Sequence, residues 1–132
     1  MIRGALISLV LAGPAFAQEL RTAPSYYTNT IFAVTMAEAL AQGCQALGLN
    51  FFAVQSQLEM LEARLGEDGF DTDEPFDQMI DPTPIFASMQ QDFLVKHPIE
   101  GAPQAEVCAA GQTEMDEETL IGRLLISEES VQ

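Results

Sequence analysis

Ile31-Phe32-Ala33-Val34-Thr35-Met36-Ala37-Glu38-Ala39-Leu40-Ala41-Gln42-Gly43-Cys44-Gln45-Ala46-Leu47 is the stretch whose reading decides the fold. Ala37, Leu40, Ala41, Cys44 and Leu47 recur at steps of three and four, which places them on one face of a helix. That face is mostly alanine, so a second helix can approach closely, and Gly48 is placed to end it. Thr28, Asn29 or Thr30 can cap its start. The stretch carries one of the two cysteines of the chain; the other, Cys108, lies near the far end. If the two are joined, the first helix is tied to the last and everything between folds inside the loop.

The chain start bears on whether they are joined. Met1-Ile2-Arg3 carries one positive charge, Ala5–Ala12 is apolar, Gly13-Pro14 breaks a helix and Ala15-Phe16-Ala17 is a small-x-small site. This order predicts a secretory signal over 1–17 with cleavage before Gln18, in preference to an N-terminal core helix, which lacks a cap and a polar face. The apolar run is too short for a permanent anchor. An exported chain with two cysteines favours one disulfide, Cys44–Cys108. The loop it closes is 64 positions long. The chain-entropy model assigns such a loop about 4 kcal/mol of stabilisation, as an upper figure.

The chain has 20 acidic residues against 5 lysines and arginines, a formal net charge of −15. Such a surface repels nucleic acid and anionic lipid, so neither a nucleic-acid partner nor membrane attachment after signal cleavage is expected. Charge of this size has a bland use, solubility as a monomer, and a sharper one, attraction to a cationic protein partner.

Residues 18–30 read as an irregular entry segment, 31–126 as a single helical domain and 127–132 as a loose tail. Asn50 can cap a second helix on which Phe51, Val54, Leu58, Leu61 and Leu65 give the clearest periodicity in the chain, with Gly66 as the stop. Glu67, Asp68, Asp71, Asp73, Glu74, Asp77 and Asp81 follow without a base between them. They predict either a solvated acidic loop or a surface facing a cationic partner. A short helix over Glu74–Ile80 would turn Phe70, Phe76, Met79 and Ile80 inward, with Pro75 in its first turn. Ile85, Phe86, Met89, Phe93 and Leu94 form another apolar face. Lys96 and His97 suit its C-terminal end, and Pro98 closes it. After the Pro98–Pro103 loop, a last long helix is expected from Gln104 to about Glu117. For Leu120–Ile126, period alone does not choose between helix and strand.

The residues exclude several chemistries. With one histidine and two cysteines expected to be oxidised, a zinc site cannot be filled, and no metal or other cofactor is expected. Counted as an EF-hand from Asp71, the acidic segment puts Pro75 and Phe76 at positions five and six; from Asp68 it puts Phe70 at three. There is no Gly-x-Ser-x-Gly elbow, no glycine-rich phosphate loop and no close cysteine pair. One constellation remains. Cys108, Gly111 and Glu114 lie at steps of three on the last helix. Glu114, at the edge of the buried face, would need a partner, and Arg123 is one of few bases available. Gly111, Glu114 and Arg123 are expected to form a structural lock on the C-terminal segment rather than a catalytic pocket.

These residues also carry a resemblance. Cys108-Ala109-Ala110-Gly111-Gln112-Thr113-Glu114, Ile121-Gly122-Arg123-Leu124-Leu125, Ala37-Glu38 with Cys44, and Gly69-Phe70 resemble a family of short exported bacterial proteins catalogued as a domain of unknown function. The resemblance covers about residues 30–126; the segment 67–84 departs from it in being more acidic and richer in proline. It implies no activity, substrate or catalytic residue.

The expected fold is all-α, a small bundle of four or five helices stapled by one disulfide. The expected function is that of a non-enzymatic periplasmic or secreted binding or accessory protein for a cationic partner. The alternative is a periplasmic acid-stress chaperone.

Overall fold

The computed structural model describes residues 19–128, so the expected signal segment 1–17, its expected cleavage before Gln18, and positions 129–132 of the tail lie outside the described residues. The chain is mostly helical. Its elements are α1 (Ser25–Gly43), β1 (Leu47–Leu49), α2 (Phe51–Glu67), α3 (Thr83–Lys96), α4 (Gln104–Asp116), α5 (Leu120–Arg123) and β2 (Leu125–Ser127), with a 3-10 turn at Pro75–Gln78 between α2 and α3.

Helix α1 begins six residues earlier than the sequence predicts, inside the stretch expected to be irregular. Pro24, extended at φ −62° and ψ 145°, is its N-cap, and no side chain caps it. The Pro24 carbonyl accepts the Tyr27 and Thr28 N–H groups. Burial drives the extra turns. Tyr27, Thr30, Ala33, Ala37 and Leu40 are buried on one face at steps of three and four, so the helix gains apolar contact along its whole length. It ends at Gly43, before Gly48, because Cys44 is extended at φ −140° and turns the chain toward β1.

Two core clusters share α1. The larger holds Ala33, Ala37, Leu40, Cys44, Phe93, Ala110, Ile121, Leu124 and Leu125. The smaller, at the other end, holds Ala23, Tyr27, Leu61, Leu65, Phe70 and Met79. The Cys44–Cys108 disulfide forms, with a Cα–Cα distance of 5.1 Å, inside the range such a bond requires. Cys108 lies in the second turn of α4 as expected, whereas Cys44 sits just past its helix. Close approach depends on glycine at two points. A Cβ on Gly43 would lie 2.8 Å from Val107 Cγ1, and one on Gly111 would fall on the end of Leu47.

The start of α2 is where the sequence puts it: Asn50 accepts the Ala53 N–H at 3.1 Å. Its end lies slightly beyond Gly66. Gly69, at φ +84°, reverses the chain, while the Gly69 and Phe70 N–H groups bond to the Gly66 and Leu65 carbonyls. Leu61 and Leu65 are buried, but Phe51 and Leu58 from the same periodic face are exposed. The segment 120–126 resolves into both predicted forms. Thr119 caps the single turn of α5, and β2 pairs antiparallel with β1, Leu47 opposite Ser127 and Leu49 opposite Leu125. Ser127 is therefore strand, not loose tail. Among the described residues no helix is long and apolar enough to cross a membrane.

Breaking the staple should expose how much of this the cross-link carries. A Cys44→Ala/Cys108→Ala variant is expected to lose about 2–4 kcal/mol in urea unfolding. An unchanged midpoint would show that the helices hold α1 against α4 without it.

Candidate functional site

Glu114 lies in the last turn of α4, on the face that turns inward, and is 2 % exposed. A buried carboxylate requires donors, and three side chains from two elements supply them. From the end of α3, Lys96 Nζ donates to Oε1 at 3.0 Å, and His97 Nε2 lies 2.8 Å from the same oxygen. From the cap of α5, the Thr119 hydroxyl donates to Oε2. An ionised carboxylate only accepts, so Nε2 carries the proton on the His97 ring. Burial pushes the Glu114 carboxyl up, but Thr119, His97 and Lys96 together outweigh it and hold the group below the ordinary glutamate range. Lys96 also meets Glu117 at 2.6 Å, and the two carboxylates raise its ammonium above the usual lysine value.

The local folding explains the meeting. The His97 N–H closes α3 on the Phe93 carbonyl, and the Phe93 ring packs against the imidazole at 4.9 Å between centroids. Thr119 accepts the Gly122 N–H at 3.1 Å, so one hydroxyl caps α5 and serves Glu114. Gly122 admits this contact, since a Cβ there would fall on the Glu114 carbonyl.

The lock is built from different residues than the sequence indicates. Glu114 and Gly111 are both buried on α4 as expected, but Arg123 is exposed and makes no bond to Glu114. In one turn of helix that starts from the Glu114–Thr119 contact, Ile121 and Gly122 take the inner positions and Arg123 falls outside. His97, expected at the C-terminal end of its helix, does end α3 and is buried. The available signal was that Lys96-His97 forms a doublet of donors in a chain with few bases.

The seven acidic residues are all exposed, and several are engaged locally. Asp68 caps α2, its carboxylate accepts the Tyr26 hydroxyl at 2.5 Å, and its carbonyl accepts Arg21 Nη1 at 2.7 Å. Burial, with help from Asp68, pushes the Tyr26 hydroxyl up to about 12. Asp71 accepts the Asp73 N–H, and Asp81 accepts both the N–H and hydroxyl of Thr83, which hold its carboxyl below the usual range. Glu67, Asp73, Glu74 and Asp77 present carboxylates outward. A hydrogen bond with Asp77 and the repulsion of its charge push the Glu74 carboxyl up. The segment is a 3-10 turn followed by a bridge, Arg21 beside Met79, rather than the predicted helix. Alternation along that bridge buries Met79 and turns Ile80 outward. Among the described residues no three potential metal ligands come together.

The model of a family described as a family of unknown function, DUF5333, matches residues 19–126. The chain belongs to this family. No curated protein and no solved structure matches it. The match to DUF5333 spans both the Glu114 lock and the acidic segment.

The lock should reveal itself through pH. Because the folded-state pKa of Glu114 is depressed, its contribution is full above the unfolded value of about 4.3 and is lost as pH falls through the folded value. Glu114→Gln is expected to cost about 2 kcal/mol at pH 7. Urea unfolding from pH 7 to 2 should show the gap between the two proteins closing only in the acid range. A gap independent of pH would mean that the charge of Glu114 contributes nothing.

Proposed function

We propose that the protein is a non-enzymatic binding or accessory protein of an oxidising exported compartment, periplasmic or secreted, and that its acidic segment engages a cationic protein partner. The observation that carries this reading is the surface at 67–81. Phe76 and Ile80 stand 51 % and 53 % exposed between the carboxylates of Asp73, Glu74, Asp77 and Asp81. Large apolar side chains framed by charge of one sign suit a partner that brings basic and apolar groups together. The crowding of Glu74 against Asp77 adds to it, since a cation placed there relieves repulsion. The disulfide supports the compartment. The engagement of both Glu114 oxygens by donors of the chain itself supports a structural use of that group.

The test is capture from an exported-protein extract on the immobilised protein, followed by a salt gradient. Basic proteins should bind and elute as salt rises, and a Glu74→Lys/Asp77→Lys variant should lose them. Capture of the same set by both proteins, without salt dependence, would refute the assignment.

A second reading, a chaperone that holds unfolding clients under acid stress, is favoured by the start of α2, where Phe51 and Phe52 are 77 % and 84 % exposed. On that reading, suppression of client aggregation near pH 4 should fall in a Phe51→Ser/Phe52→Ser variant; equal suppression by both proteins would remove it.

A further inference from the structure

Two hollows lie along the seam between α1 and α3, and a third adjoins them on the α3 side. One, of about 310 Å³, is lined by Met36, Leu40, Phe93, Leu94 and Ile99, with Glu100 at its rim. A second, of about 170 Å³, lies among Ile31, Phe32, Met36 and Phe86. A third, of about 360 Å³, runs beside Leu94, Val95 and Glu100. Gln90 lines all three, Met36 joins the first two, and Leu94 and Glu100 join the first to the third. The first two form one apolar trough between α1 and α3, which the third widens on the α3 side. Its floor is the edge contact of Phe32 with Phe93, whose ring centroids are 6.3 Å apart. From Ile31 to Gly43 it extends roughly 18 Å at 1.5 Å per helical residue, enough to seat about three turns of another helix.

Charge says what fits. No lysine, arginine or histidine lines any of the three hollows; the ionisable lining residue is Glu100. At the other end, Phe86 and Ile31 pack on the cluster that holds Phe70 and Met79, which bracket much of the acidic segment. Asp81 lies there, accepting the N–H and hydroxyl of Thr83, the first residue of α3. An apolar strip with carboxylates at both ends, on a chain of net charge −15, disfavours fatty acids and other anionic amphiphiles and repels a second copy of itself. A helix with a leucine-like stripe and flanking basic residues matches both the strip and its ends. We propose that the trough between α1 and α3 docks a basic amphipathic helix of the partner, its apolar stripe lying on Met36, Leu94 and Ile99 and its basic residues meeting Glu100 at one end and the acidic segment at the other. This rests on the cationic-partner reading above and deepens it, by naming the element the partner brings and where that element lies.

A fluorescently labelled peptide of about 14 residues, leucine and lysine at helical spacing, is the probe, with fluorescence anisotropy as the readout. Gln90 is exposed at the junction of the hollows, so Gln90→Lys blocks the trough from its surface. It should weaken binding about tenfold or more. Glu100→Gln should weaken it less and flatten the salt dependence. Amide shifts of the wild-type protein on adding peptide should centre on Met36, Gln90 and Leu94, a reading that holds even if a variant folds poorly. A scrambled peptide should bind weakly, and so should one with glutamine in place of lysine. Equal binding of the glutamine peptide would overturn the basic requirement. Unchanged affinity in Gln90→Lys, with shifts confined to 67–81 and loss of binding in Glu74→Lys/Asp77→Lys, would overturn the trough while leaving the cationic-partner reading standing. Absence of binding by any of the peptides would overturn the trough, and the cationic-partner reading would fall with it if the extract capture also failed.

Discussion

The bond between Cys44 and Cys108 is the constraint on which the arrangement depends. It joins the residue just past α1 to the second turn of α4 across a separation of 64 positions. With that point held, the extended Cys44 directs the chain into β1, and Leu47 comes to lie over Gly111 one turn further along α4. The ribbon of β1 and β2 then returns the C-terminal residues to the same place, so that Leu124 and Leu125 fill the core beside Cys44. Residues of the second half of α1 and of the C-terminal strand thus pack in one cluster, and the segment between the two cysteines is a closed loop with less freedom in its unfolded state.

A chain this acidic has few cations to distribute, and their placement is economical. Arg21 lies over the Phe70 ring at 3.9 Å and Arg64 over Tyr26 at 4.1 Å, both beside the acidic segment. Lys96 bridges Glu114 and Glu117. Removing Glu114 from water carries a desolvation cost that a single partner does not offset. Lys96, His97 and Thr119 together do, and because they come from the end of α3 and the cap of α5, meeting that cost also fixes where those two elements lie against α4. Several acidic residues accept from Tyr26, Thr83 and backbone N–H groups at turns and caps, and others face outward around Phe76 and Ile80.

Local signals in the sequence determined much of the fold. Asn50 starts α2 because its side chain caps an N–H three residues on. Lys96-His97 ends α3 and Pro103 precedes α4 because proline and the helix end constrain the backbone within a few residues. The helical class and the Cys44–Cys108 pairing followed from periodicity and from having two cysteines to join. The tertiary structure alone decided the rest. Whether α1 began at Ser25 or near Ile31 depended on Tyr27 finding Leu61 and Leu65. Whether Gly48 ended a helix or entered a strand depended on Ile126 lying opposite it. Glu114 could be recognised in the sequence as a carboxylate in need of a partner, but Lys96 and His97 are 18 and 17 positions away. Hydrogen bonds act over about 3 Å, and sequence spacing carries no information about which distant donors the packing of α3 against α4 will bring within that reach.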